Sequence, residues 1–380
     1  LRTWCACPGP YRGGARVRPA FEVPDADAFR DRTDGELVAM LTAWRDDWLA
    51  GRGRMGLKAR QELEASTGWP RPHLEAAIVR AFEPFTLSAL ARLFGIRGQV
   101  APARGWLMAI LAGRVPALAV NVVLWALAAR WPVLLKPSTA EPRFAALLAR
   151  SLPEPLQGAV RILPPDAGRD AIDQAVVEAP VVLAYGSDES VEAVRRLRIG
   201  PTLVGPHRES LILVLASAMR TANLRQLAMR IADDVAIYDQ DGCLSPTLAL
   251  VEEGGSATPA DLVDAIGDAL VRHPLPAGRI MFEHAAAVRA TVETLRVRGR
   301  TALATQGRGL FPLVSLLDEP PAIAGALFRT LQVGAFRGRP DLEAWAPHLR
   351  GRVQGLAVAG DRSRARYLLQ DFLAWRPGRI

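Results

Sequence analysis

Apolar and polar positions along the chain fall into two textures. In the first hundred residues the apolar positions recur with the helical period. "DGELVAMLTAWRDDWLA" (34–50) places apolar side chains three and four apart behind Asp34, an N-cap residue type, and predicts an amphipathic helix. "RPHLEAAIVRAFEPF" (71–85) predicts another, with Pro72 in its first turn. From about residue 106 the pattern becomes short, continuous apolar runs: "PVLLKP" (132–137), "APVVLAY" (179–185), "PTLVG" (201–205) and "SLILVLA" (210–216). Helical stretches such as 140–151 and 188–197 separate them. Strands that are apolar on both faces and alternate with helices predict a parallel, doubly wound sheet. A second α/β block follows, with helices at 221–236 and 258–273 and strands at 247–253, 310–318, 331–336 and 354–360. Thr258 and Pro259 supply the cap and first position of the later helix. No internal repeat is present.

One apolar stretch, "VPALAVNVVLWALAARWPVLL" (115–135), approaches the length of a membrane span. Arg130, Trp131 and Pro132 interrupt it, and a charge so deep in a bilayer costs several kcal/mol. The stretch therefore reads as a buried helix (about 117–129) running into a buried strand (about 132–136), with no integral membrane segment. Half of the 380 residues are hydrophobic and 23% are charged, which excludes a disordered chain and allows two full cores. Cys5 and Cys7 lie in a Gly/Pro/Arg-rich tail and Cys243 stands alone, so no disulfide framework is expected. "LRTWCACPGPYRGGARVRP" has no apolar signal-peptide region, and the expected location is the cytoplasm. The net charge of +8 raises nucleic acid as a partner. The arginines are scattered and few aromatics interleave with them, so nucleic-acid binding is not expected. Lys58 and Lys136 are the only lysines among 47 basic residues, which draws attention to Lys136.

Three places carry candidate chemistry, each with a plainer alternative. Lys136 ends an apolar strand and is followed by Pro137, Ser138 and Thr139. At the carboxyl end of such a strand an ammonium with neighbouring hydroxyls suits a ribose or its 2′-phosphate; the alternative is an exposed strand-end lysine. Gly186 and Ser187 stand between a strand and a helix start, a fit place for a phosphate or simply a serine cap. Cys243, between Gly242 and Leu244, is either a nucleophile whose thiol the local amides favour as thiolate, or a small buried hydrophobe. "GRGRMG" (51–56) fits the dinucleotide fingerprint but follows a helix, and reads as a loop between helices. The five histidines have no metal-ligand spacing, and no G-x-S-x-G elbow is present.

Taken in order, Lys136, Gly186–Ser187 and Cys243, at intervals of 50 and 57 residues, resemble the layout of the aldehyde dehydrogenase superfamily. More narrowly, "AYGSDESV" and "DVAIYDQDGCLSP" look like the acyl-CoA reductase family, the fatty acyl reductases that include the bacterial bioluminescence enzyme. The likeness extends to "TGWPRPHLEAAI" (67–78), "LAGRVPALAV" (111–120), "FRTLQVGAF" (328–336) and "LRGRVQGLAVAG" (349–360). The resemblance implies an aldehyde dehydrogenase-like α/β fold: a flexible tail (1–30), a helical N-terminal region (31–100), a dinucleotide-binding domain (101–205), a catalytic cysteine domain (206–345) and a C-terminal segment (346–380). It implies that Cys243 takes the acyl group from an acyl-CoA or acyl-protein thioester, with its backbone amide as oxyanion donor. NADPH, held by Lys136, Ser138, Thr139, Gly186 and Ser187, then yields the fatty aldehyde. A homo-oligomer or a fatty-acid-transferring partner protein is the expected company. The oxidising enzymes' water-activating glutamate is missing before the glycine of "TLVGPHRES" (202–210), and neutral Thr139 replaces the glutamate common in NAD users, which favours NADP. Arg114 replaces the asparagine of the family's "AGNVP", a departure in which the guanidinium either donates to the substrate oxygen or spoils the pocket. The alternative function is a catalytically weakened member that binds acyl chains or proteins.

Overall fold

The computed structural model describes residues 21–29, 31–97, 105–198, 200–206, 209–297, 302–304, 312–317, 320, 328–349 and 352–369. Most of the expected tail (1–20) lies outside these, with Cys5 and Cys7, as do residues 310, 311 and 318 of one expected strand. Helix α1 (Asp34–Leu49) begins one residue earlier than the sequence pattern indicates, because its cap is Thr33 and not Asp34. Glu36 N donates to Thr33 Oγ1 at 3.2 Å while Thr33 N donates to Glu36 Oε2 at 2.7 Å, so each side chain satisfies the other's backbone. Asp34 instead receives Arg130 at 2.8 Å. α2 (Arg54–Thr67), α3 (Arg71–Phe82) and α4 (Leu87–Arg97) complete the helical front. "GRGRMG" is a turn only through residue 53, and its last three residues open α2. Trp44 and Trp48 of α1 close on Phe82 of α3, the latter stacked at 4.9 Å, and anchor the first core.

The first sheet arises from β1 (Leu107–Ile110), α5 (Pro116–Ala128), β2 (Val133–Lys136), α6 (Phe144–Ser151), β3 (Val160–Ile162), α7 (Arg169–Glu178), β4 (Val181–Gly186), α8 (Asp188–Leu197) and β5 (Thr202–Pro206). All its pairings are parallel, in the order β3-β2-β1-β4-β5. The strand order turns around between β1 and β4, and a crevice opens at such a reversal beyond the carboxyl ends of the strands. The long apolar stretch is the buried helix α5 and the buried strand β2. Arg130, at φ 54°, ends the helix and donates to Phe29 O at 2.8 Å and Arg32 O at 2.6 Å. Among the described residues no helix is long and apolar enough to cross a membrane.

The second sheet is built from β6 (Glu209–Val214), α9 (Leu224–Ala236), β7 (Pro246–Glu252), α10 (Pro259–Val271), α11 (Phe282–Val297), β8 (Ala302–Ala304), β9 (Leu313–Leu317), β10 (Thr330–Phe336), α12 (Arg339–Leu349), β11 (Val353–Ala359) and α13 (Arg362–Leu369). Its order is β11-β6-β7-β10-β9-β8, parallel except for the β8–β9 pair. β7 and β10 lie inside the sheet and are buried almost throughout, which is why they read as continuous apolar runs. Pro206 ends β5 and Glu209 begins β6, so the carboxyl edge of the first sheet adjoins the amino edge of the second.

Candidate active site

The candidate residues come from both sides of that junction. Lys136 is the last residue of β2, half-buried, in register with Ile110; its carbonyl accepts Leu111 N at 3.0 Å. Ser138 is buried and its Oγ accepts Ala140 N at 3.1 Å, which leaves the hydroxyl proton free to be donated. Thr139 is exposed. Next along the loop, the buried Glu141 caps α6 by accepting Phe144 N at 2.9 Å, and burial pushes its carboxyl above the usual range. On the other flank of β1, β4 ends at Gly186 with φ 153°, a conformation that disfavours a side chain. A Cβ there would stand 3.2 Å from Ser190 Cβ. Ser187 caps α8, accepting Ser190 N at 3.3 Å. Its hydroxyl serves as the helix cap, and Asp188 and Glu189 bring negative charge to the helix start. Since one strand separates β2 from β4, Lys136 and the end of β4 lie about 10 Å apart.

Cys243 faces this edge from the second sheet. It is exposed, which removes the buried-hydrophobe reading. Leu244 beside it is 70% exposed. The turn is closed by Ser245 N donating to Gly242 O at 2.9 Å. The Cys243 carbonyl accepts Ser210 Oγ at 3.0 Å and also Gln354 Nε2. Gly355 permits this approach, because a Cβ there would lie 2.5 Å from Ser210 Oγ. The Cys243 N–H meets no acceptor among the described residues. Tyr185, the penultimate residue of β4, lies within the field of Cys243; burial first, then that charge, push its hydroxyl above the usual phenol range. The nucleophile candidate and the end of β4 are therefore neighbours.

Behind the turn the backbone is strained. Tyr238, Asp239 and Gln240 adopt φ 58°, 48° and 65°, and Phe328 and Arg329 opposite them adopt 78° and 56°. Each left-handed residue without glycine's freedom costs about 1 kcal/mol or more. Asp239 and Arg329 are buried and joined by Arg329 Nε donating to Asp239 Oδ1 at 2.7 Å. His73 is buried against Trp69, stacked at 5.2 Å, with Nδ1 at 3.2 Å from Pro276 O. Burial depresses its pKa, against the opposing pull of Asp239.

Arg114, which stands where the family has asparagine, bonds within the protein. Its Nε donates to Asp241 Oδ2 at 2.5 Å and its Nη1 to Thr67 O at 3.2 Å. Burial raises the Asp241 carboxyl while Arg114 pulls it back down. Sequence reasoning missed Tyr185, Asp241, Ser210 and Gln354 as members of the site. The first two stood inside quoted motifs without a role. Ser210 and Gln354 reach Cys243 across 33 and 111 residues, and no local pattern signals such a contact.

Several solved structures share the fold. A NAD-dependent benzaldehyde dehydrogenase from Corynebacterium glutamicum superposes with TM-score 0.67 at 16% identity, covering 89% of this chain and 78% of that one. Glyceraldehyde-3-phosphate dehydrogenase GapN from Methanocaldococcus jannaschii, complexed with NADP, gives 0.64 at 15% identity, covering 88% and 83%. A NAD-dependent aldehyde dehydrogenase from Sinorhizobium meliloti gives 0.66 at 18% identity, covering 91% and 75%. At these identities the likeness is one of architecture, and the chain has an aldehyde dehydrogenase-like fold. No curated protein sequence matches it. A profile of one family does, Acyl-CoA reductase (LuxC), over residues 96–374. Because that match runs through both sheets and the cysteine turn where they meet, the chain belongs to the acyl-CoA reductase (LuxC) family, enzymes that act on acyl and aldehyde groups.

Proposed function

We propose that the protein reduces a fatty acyl thioester, on CoA or on a protein, to the fatty aldehyde with NADPH, through an acyl group held on Cys243. One observation carries the reading: Cys243 is exposed in a pinned turn beside the end of β4, where the neighbouring Gly186 lacks a side chain. The residues present fit a nicotinamide dinucleotide. Lys136 offers a half-exposed cation, Ser138 and Thr139 offer hydroxyls, and Gly186 leaves open the space that a Cβ would take. Neutral, exposed Thr139 suits a ribose 2′-phosphate. When bound, NADPH supplies the hydride that converts the acyl group to the aldehyde.

The chain's own part begins with the Cys243 thiolate forming a bond to the thioester carbonyl carbon. The oxygen gains negative charge within reach of the Cys243 N–H. Collapse breaks the carbon–sulfur bond to CoA, which leaves as a thiolate and takes up a proton. The acyl group now rests on Sγ. After reduction, the Sγ–carbon bond breaks, the aldehyde leaves and the thiolate returns. The Tyr185 hydroxyl, pushed up by burial and then by Cys243, stays protonated near the end of β4. Thr202–Pro206 contains no carboxylate to activate water, which favours reduction over hydrolysis of the acyl-enzyme.

The test is intact-protein mass after mixing with acyl-CoAs of several lengths, without NADPH, for the native chain and Cys243→Ala. An adduct on the native chain alone, discharged as aldehyde by NADPH, is the expected result. A folded native chain that takes no acyl group at any length, from CoA or from an acylated protein, would overturn the reading.

A further inference from the structure

Cys243 sits midway along an arch that is closed by a side chain. Gln240 Nε2 donates to Pro246 O at 2.8 Å, tying the residue before the turn to the first residue of β7. The same nitrogen donates to Thr330 O at 2.6 Å, and Gln240 Oε1 accepts Thr330 N at 2.6 Å. One step back along both chains, Asp239 faces Arg329 at 2.7 Å. Two consecutive residues before the cysteine are thus matched, in step, to two consecutive residues at the start of β10. Further bonds lock the clamp from outside: Gly278 N donates to Asp239 Oδ2 at 2.9 Å and Arg329 Nη1 to Leu275 O at 2.9 Å. Gln240, Asp239 and Arg329 are all nearly inaccessible.

Cohesion alone does not call for this construction. A buried ion pair adds little net stability over well-packed apolar side chains, and here it is joined to a left-handed backbone on both sides. What the clamp fixes is direction. It determines where the arch leaves the core and therefore where the exposed thiol stands relative to the end of β4.

We propose that Gln240 and Arg329 are positioning residues for Cys243, holding its arch in one orientation toward the bound acyl thioester; this rests on the reading of Cys243 as the acyl acceptor. Attack on a carbonyl needs alignment, whereas alkylation of an exposed thiol by a small reagent needs little. The experiment compares the native chain with Gln240→Met, Arg329→Met and Arg329→Lys. It measures single-turnover CoA release from acyl-CoA without NADPH, iodoacetamide alkylation of Cys243 by intact mass, and thermal melting. Gln240→Met and Arg329→Met are expected to slow acylation by about tenfold to a hundredfold. The half-saturating acyl-CoA concentration and the alkylation rate are expected to stay within about twofold of native, with part of the acylation rate restored in Arg329→Lys. Folded variants that acylate at the native rate would overturn the proposal. So would acylation lost only in step with faster alkylation and lower melting, which marks a purely structural role. A native chain that is alkylated but never acylated would overturn the reading of Cys243 and the proposal with it.

Discussion

At the scale of single residues, the Arg114–Asp241 pair offers the sharpest test. Both side chains are about 12% exposed, and Arg114 lies 2.5 Å from a carboxylate two residues before Cys243. Removing one partner leaves the other charge buried, so Arg114→Ala should lower unfolding free energy by about 3 kcal/mol. Adding Asp241→Asn should recover most of that, and urea unfolding of the two single variants and the double variant reads the coupling. Thr139 tests the cofactor. Thr139→Glu places a negative charge where the ribose is proposed to bind and should lower the NADPH-over-NADH ratio of kcat/KM by about tenfold or more, since like charges a few ångströms apart near a surface repel by about 1–4 kcal/mol. The positions of Lys136, Gly186, Ser187 and Cys243 at strand ends, a helix start and a turn could be read from the sequence because each follows a recognisable strand or turn signal. The partners of Cys243 could not, because Ser210 and Gln354 meet it only through strand order. The role of Arg114 stayed open in the sequence for a related reason: its partner lies 127 residues away.

At the scale of elements, legibility follows burial and length. β2, β4, β6 and β7 are largely apolar runs found where the pattern predicts them, and β10 is found there too although it buries Thr330 and Gln332. β1, β3 and β8 are four, three and three residues long, too short to show a period, and the crevice-forming strand β1 is among them. Helix α2 hides behind its charged residues, with a stripe of buried positions no wider than Ala59, Leu63 and their neighbours. Close packing between elements is testable at Gly334 in β10. A Cβ there would run into the indole of Trp345 on α12, and both groups are held by rigid surroundings. Gly334→Ala should cost about 1–3 kcal/mol, as overpacked cores do, measured by the denaturant midpoint at unchanged slope. A midpoint equal to native would mean that α12 moves freely over the sheet.

At the scale of the whole molecule, the helical front and the second sheet share one titrating joint. His73 of α3 is buried beside Asp239, with Arg329 and His273 also bearing on it, and its Nε2 has no acceptor among the described residues. Its folded pKa is depressed, so the unfolded chain takes up the proton more readily. Its contribution to stability is present above the ordinary imidazole pKa of about 6.5 and is lost as the pH falls toward the folded value. Unfolding free energy should decline on going from pH 7.5 to 5.5, by at most about 1.4 kcal/mol per pH unit from this group, and His73→Gln should flatten that slope. Denaturant titration at the two pH values checks it.

The meeting of one sheet's carboxyl edge with the other's amino edge has a consequence for how such an enzyme diversifies. The residues proposed to hold the electron donor lie before Pro206, whereas the clamp on Cys243 draws on residues after Glu209. Inheritance can therefore alter the proposed reductant pocket and the setting of the cysteine in separate stretches of the gene. A recombination point between β5 and β6 would exchange one and keep the other's strained turn, provided that the incoming half supplies the partner that Arg114 gives Asp241.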